Sequence, residues 1–370
     1  MIFCKHCVYP ETKPDLTFNS EGVCSACTAF KSREYIDWPN KAADFVNLCE
    51  YIKKPDKPYD CIIPVSGGKD SHYQIIKALE HGLRPLAVTA TTDALSDLGA
   101  SNLDNITRLG VDHIIVTTNG NLRRRINNYT LTTIGDISWA EHVTIFTVPF
   151  REALIRKIPL IIWGENPQNE YGGPEQDKST MKQTWLQEFG GLNGLRVSDL
   201  IERGIATQDE LFQYTMPNDV SSITPIYLGH YFEWDGKLNA ETAKEYGFRV
   251  HYKDVEGTGV NYENLDNYQT GIHDYFKWLK FGFGRATDIA CNHIRRGYFT
   301  RNEGKEFVYL YDGKFPNTYL GRSLESILSD IGMSISEFMQ ICDKFTNKAL
   351  FEARTSVSPR PRLRHNVMEI

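Results

Sequence analysis

Six consecutive residues, Ser66-Gly67-Gly68-Lys69-Asp70-Ser71, concentrate the most chemistry in the shortest span. Paired glycines let a backbone approach a phosphate closely, and a helix starting behind them presents unpaired N–H groups and a favourable dipole. Lys69 adds a positive charge, and the hydroxyls of Ser66 and Ser71 donate to phosphate oxygens. Asp70 suits Mg²⁺, which takes one or two carboxylates together with phosphate oxygens. The pattern predicts a polyphosphate site, against the plainer alternative of a turn in a structural βα unit. Its spacing is not that of a Walker A loop, which disfavours a kinase or GTPase.

A second group is Cys4-x2-Cys7 with Cys24-x2-Cys27, two pairs separated by sixteen residues. Four thiolates so spaced suit one tetrahedral Zn²⁺, which would fold a segment too poor in apolar residues to fold alone. An iron–sulfur cluster also takes four cysteines, and unliganded packing is the third reading. Closed coordination implies a supporting role with no catalytic metal. Cys49, Cys61, Cys291 and Cys342 stand alone and read as small buried apolar residues.

The surrounding pattern is that of an α/β protein with a doubly wound parallel sheet. Short apolar runs at 61–65, 86–90, 113–117 and 159–163 predict strands. Helical periodicity falls between them at 71–81, 101–109, 123–132 and 147–157, after an amphipathic helix at 41–53. Continuous apolar strands alternating with helices indicate a sheet covered on both faces. Residues 164–192 form a polar, glycine-rich stretch directly after a strand, where such sheets place their ligand crevices. From there on the chain reads as mainly helical, at 240–246, 268–281, 287–296, 324–331 and 336–345. Three units are expected: a Cys4 module at 1–40, the α/β domain at 41–230 and a helical region at 231–370.

Composition bounds the function. With 370 residues, 41% of them apolar, a formal charge of −6 and no apolar run of membrane-spanning length, the chain reads as a cytoplasmic globular protein. An acidic balance argues against nucleic acid as the main partner, although 354–364 is locally basic.

The loop Ser66 to Ser71 resembles the SGGxDS pyrophosphate loop of the PP-loop ATPases (ATP-pyrophosphatases with a Rossmann-like fold). A longer likeness is carried by Ile161-Ile162-Trp163-Gly164-Glu165-Asn166-Pro167, Glu170-Tyr171-Gly172-Gly173 and Phe281-Gly282-Phe283-Gly284-Arg285-Ala286-Thr287-Asp288. Together with the Cys pairs and residues 82–116, these segments resemble the N-acetyl sugar amidotransferases of the WbpG/PseA/LegA type, which serve lipopolysaccharide O-antigen and other surface-polysaccharide synthesis. The resemblance implies conversion of an acetamido group on a UDP- or CMP-linked sugar to an acetamidino group, using ATP, Mg²⁺ and ammonia. It implies nucleotide contacts at Ser66 to Ser71, Thr89, Asp93 and Gly164, and catalytic roles for Lys69, Asp70 and Glu165. Trp163, Asn166, Glu170, Tyr171, Arg285 and Asp288 are then expected at the sugar substrate, with Asp288 holding Arg285. No glutaminase signature is visible, so the resemblance calls for a HisH-like glutaminase and a HisF-like ammonia-channelling subunit as partners. Two other readings remain: a PP-loop tRNA-modifying enzyme of the thiolation type, and a nucleotide-binding scaffold without turnover.

Overall fold

The computed structural model describes residues 1–166, 170–172, 194–352 and 361–369. Its apolar runs form parallel strands β1 (Cys61–Pro64), β2 (Pro85–Ala90), β3 (Asp112–Val116) and β4 (Leu160–Trp163), joined by β5 (Thr224–Tyr227). The order is β3-β2-β1-β4-β5, so the winding reverses between β1 and β4. Alternation along each strand divides the core into two layers. Ile63, Ala87 and Ile162 pack on one side with Phe45, Ile75 and Ile106. On the other side Ile62, Val88 and Ile161 meet Val148, Phe150 and Ala153.

β5 has no counterpart in the sequence reading. It is four residues long and contains Pro225, which a strand tolerates at the sheet edge where β5 lies. The helix Trp139–Arg156 also begins well before the expected 147 and runs through Pro149, whose presence masks its periodicity. Gly68 is the N-cap of the helix Lys69–Glu80, so Lys69 and Asp70 occupy its first turn, ahead of the expected start at 71.

After β5 the chain is mainly helical, with helices Gly236–Glu245, Thr270–Phe281, Arg285–Arg295, Arg301–Tyr311, Leu324–Ser329 and Ile335–Phe345. Phe276, Leu279, Leu328 and Phe338 form part of its core. Arg301–Tyr311 is a further element missing from the sequence reading, since Gly304 sits inside it. A Cβ at Gly304 would lie 2.5 Å from Ile294 Cδ1, so the glycine permits close packing on the helix Arg285–Arg295.

The N-terminal Cys segment docks on this helical part. Tyr9 donates to Asp288 Oδ1 at 2.9 Å, and Thr12 Oγ1 to the Phe281 carbonyl at 2.6 Å. Arg301 donates to the carbonyls of Cys7 and Cys4, both at 3.1 Å. The contact buries Phe283, Cys291 and Val308 beside the four cysteines. No helix among the described residues is long and apolar enough to cross a membrane. Most of 164–192, and 353–360 within the basic stretch, lie outside the described residues.

Candidate active site at the β1–β4 crevice

A cavity of about 290 Å³ opens where β1, β2 and β4 end, at the reversal of strand order. Open α/β sheets bind ligands at such switch points. Ser66, Ser71, Thr89, Trp163, Gly164 and Glu165 line it. Gly67 has a left-handed φ of +85°, and a Cβ there would lie 3.1 Å from both the backbone N and Cγ of Leu103. The Gly68 N–H reaches Ser66 Oγ at 3.3 Å, and Ser71 Oγ donates to the Gly68 carbonyl at 2.9 Å. His72 donates from Nδ1 to the same carbonyl at 2.9 Å, which makes it a structural group of the first turn. A Cβ at Gly164 would come within 3.0 Å of Trp234. Trp163 packs on Phe146 with the rings tilted and their centroids 5.2 Å apart, and its Nε1 is buried without a hydrogen-bond partner among the described residues.

Lys69 and Asp70 face a smaller neighbouring cavity of about 50 Å³. Burial opposes the Lys69 charge, but Asp70 at 2.6 Å and Glu263 at 2.8 Å hold the ammonium well above the usual lysine range. Asp70 Oδ1 accepts from Asn239 at 2.9 Å. Glu165 lines both cavities, and burial, with the Asp70 charge adding to it, pushes its carboxyl up to about 7. Such a group exchanges protons near neutrality.

Glu170 is held differently. Although burial opposes ionisation, Arg296 at 2.7 Å and Arg33 keep its carboxyl below the usual range, and Arg295 donates to its carbonyl at 2.7 Å. Glu170 therefore anchors the segment after β4 to both the Cys module and the helix Arg285–Arg295. Asn166 is buried, and its carbonyl accepts from the Glu170 N–H at 3.2 Å. Tyr171 lines both the small cavity and a separate pocket that contains Arg285 and Asp288.

Arg285 and Asp288 thus sit apart from the phosphate loop. Asp288 is held by Tyr9 and Lys277, and Arg285 lies 3.5 Å from Asp274 and 3.9 Å from Asp288. Asp93 pairs with Arg123 and accepts from Asn127 at 2.5 Å. The Thr89 hydroxyl donates to the Val65 carbonyl at 2.7 Å and meets His113 Nε2 at 2.7 Å. Both polar groups are engaged within the fold, and of the two only Thr89 lines the cavity.

The ligand atoms of Cys4, Cys7, Cys24 and Cys27 all lie within 4.8 Å of one another, and all four residues are buried. Cys4 Sγ accepts N–H bonds from His6, Cys7 and Cys24 at 3.3–3.5 Å, which favours its thiolate. The donor set and its closeness fit one metal ion.

Residues 256–362 match the C-terminal domain of the WbpG-like LPS biosynthesis proteins. That WbpG-like segment supplies Tyr262, Glu263, Ile289, Asn292, His293 and Arg296 to the small cavity and Asp266 to the larger one. No curated protein sequence matches the chain. Among solved structures, NMN synthetase of Francisella tularensis shares 13% identity over 59% of this chain and 99% of its own, with a TM-score of 0.29. The NH3-dependent NAD synthetase of Campylobacter jejuni gives 13%, 59%, 100% and 0.30. A U34-tRNA thiolase of Methanococcus maripaludis gives 12%, 95%, 99% and 0.33.

Several wall residues escape sequence reasoning altogether. Asp235, Glu263 and Asp266 in the cavity walls, and Asn239 beside Asp70, are polar residues far along the chain from the loop they approach. Glu141 is hidden inside a helix, where burial, reinforced by Asp93 and Asp266, pushes its carboxyl up to about 8.

Proposed function

We propose that this protein is an ATP-dependent amidotransferase that converts an acetamido group of a nucleotide-activated sugar to an acetamidino group, in the cytoplasmic synthesis of surface polysaccharide. The observation that carries this reading is the shared wall: Asp70 and Glu165 belong to both the phosphate-loop cavity and a small cavity closed by the WbpG-like segment. An amide oxygen is a poor leaving group. Its attack on the α-phosphorus of ATP expels pyrophosphate and gives an adenylated imidate. Ammonia then attacks the imidate carbon, AMP departs with the former amide oxygen, and the new nitrogen sheds a proton.

In this reading the N–H groups behind Gly67 and Gly68, with the Ser66 and Ser71 hydroxyls, hold the polyphosphate, and Lys69 offsets its charge. Asp70 is the carboxylate that would hold Mg²⁺, a Lewis acid for phosphoryl oxygens. Glu165 accepts the proton from the incoming nitrogen. Trp163, Asn166 and Tyr171 border the sugar, and Glu170 positions them.

Zinc suits the Cys4 centre. Four sulfurs each about 2.3 Å from one tetrahedral ion stand roughly 3.8 Å apart. The Cys7–Cys24 and Cys4–Cys27 separations are 3.7 and 4.0 Å. A separate glutaminase and ammonia-channelling subunit would supply nitrogen, and free ammonium replaces them in a test. Purified protein is given ATP, Mg²⁺, ammonium and a panel of UDP- and CMP-linked N-acetyl sugars, and pyrophosphate release and sugar mass are followed together. Pyrophosphate coupled to a loss of about one mass unit supports the reading. Pyrophosphate release triggered by unmodified tRNA, with no sugar active, replaces it by RNA modification.

A further inference from the structure

Tyr171 also lines a second pocket, of about 630 Å³, walled by the N-terminal Cys segment and the helices Thr270–Phe281 and Arg285–Arg295. Its size is that of a site for a drug-sized or nucleotide-sized ligand. Its wall carries the cations Lys13, Lys277, Lys280 and Arg285 against the carboxylates of Asp15, Asp136 and Asp288, and its basic residues are regularly spaced. His273, Lys277 and Lys280 recur at i, i+4 and i+7 on one helix, a face about 10 Å long at 1.5 Å per residue. Lys13 faces in from the Cys segment and Arg285 from the next helix.

Most of these charges have partners: His273 has Asp136, Lys277 has Asp288, and Arg285 has Asp274. Lys13 and Lys280 form no ion pair among the described residues. Lys13 Nζ lies 5.4 Å from the Tyr9 ring centroid, and Lys280 Nζ reaches the Ile134 carbonyl at 3.4 Å. Burial pulls both ammonium groups below the usual lysine range. Asp288 and Asp15 act on Lys13, and Asp136 on Lys280, only through space and without a salt bridge, so two half-buried ammonium groups keep donors for a bound anion.

We infer that this pocket holds the diphosphate of a nucleoside-diphosphate-linked sugar, with Lys13 and Lys280 as its counter-charges and Arg285 as a forked donor. The identity of the sugar rests on the amidotransferase reading above. A diphosphate bridge carries two adjacent negative charges, matching two unpaired lysines, whereas a monophosphate link carries one. The site is separate from that for ATP, since neither lysine lines the phosphate-loop cavity. A sugar extending past Tyr171 reaches the wall that Tyr171 shares with Glu165.

The test uses the full-length, metal-loaded protein saturated with a non-hydrolysable ATP analogue, titrated calorimetrically with UDP and, separately, with CMP. UDP is expected to bind alongside the analogue, at least about tenfold more tightly than CMP. The double variant Lys13→Gln/Lys280→Gln should weaken UDP by about tenfold or more, with analogue affinity and metal content unchanged. Competition between UDP and the analogue, equal affinity for CMP, or undiminished UDP binding in the variant overturns the assignment. If the double variant loses its metal, Lys280→Gln alone, on a helix that contributes none of the four cysteines, is read by the same criteria with about a threefold loss expected. UDP binding in this pocket without amidine formation from any UDP-linked N-acetyl sugar keeps the pocket and removes the reaction. Amidine formation with a sugar KM indifferent to both substitutions does the reverse.

Discussion

The two glycines of the phosphate loop are adjacent and chemically identical, yet the structure assigns them opposite sensitivities. Gly67 has φ of +85°, where an alanine pays about 1–2 kcal/mol for its Cβ. That Cβ would also stand 3.1 Å from the Leu103 backbone, which a helix holds in place, adding an overpacking cost of about 1–3 kcal/mol. Gly68 has φ of −74° and ψ of 171°, open to any residue, and its nearest obstacle is the rotatable Ser66 Oγ at 3.3 Å. Gly67→Ala should therefore destabilise by about 2–5 kcal/mol, or roughly 4–20 °C in Tm for a unit of this size. Gly68→Ala should cost at most about 1 kcal/mol, the difference between glycine and alanine at an N-cap. Its Cβ instead enters the space of the phosphate, weakening ATP by about tenfold or more. Thermal unfolding and ATP titration of both variants separate the two effects. A Gly67→Ala protein as stable as the parent, or a Gly68→Ala protein that keeps full ATP affinity, refutes this account of the loop.

Glu165→Gln should lower turnover by about 10²-fold and abolish the rise in rate through about pH 7 that ionisation of Glu165 produces in the parent, measured at fixed free ammonia. Glu141 has a carboxyl raised from 4.5 to about 8, so its contribution to stability is complete below 4.5 and is lost as pH rises through about 8. Glu141→Gln, which cannot ionise, should match the parent in mild acid and exceed it by on the order of 1–3 kcal/mol above that range. Unfolding midpoints across pH that stay parallel in the two proteins contradict this. Cys24→Ser should lose about one equivalent of metal by elemental analysis and lower the thermal midpoint, since the Tyr9 and Arg301 contacts depend on the folded Cys segment. A metal-free variant that melts with the parent would remove the structural role.

Where sequence alone was informative, the reason is local. β1, β2 and β4 are buried on both faces and so read as unbroken apolar runs, and the phosphate loop announces itself because its six residues are contiguous. Pro225 and Pro149 conceal the edge strand and the first half of a long helix, because proline is a valid breaker in most contexts. The acids around Lys69 were illegible for another reason. Glu263 and Asp235 acquire meaning only through tertiary contact, across nearly 200 residues of chain, and no local pattern marks either one. Arg285 and Asp288 show the converse: neighbours in sequence, they are only 3.9 Å partners, while Lys277 and Tyr9 hold Asp288 and Asp274 is closer to Arg285.

The central claim is that the acetamido oxygen is activated by adenylation, and oxygen tracing tests it most directly. The sugar that proves active is synthesised with ¹⁸O in its acetamido carbonyl, and one turnover is run with ATP and ammonium. The account predicts that the label appears in AMP, with none in pyrophosphate and none left in the amidine product. Label found in pyrophosphate or released to water, with unlabelled AMP, contradicts it.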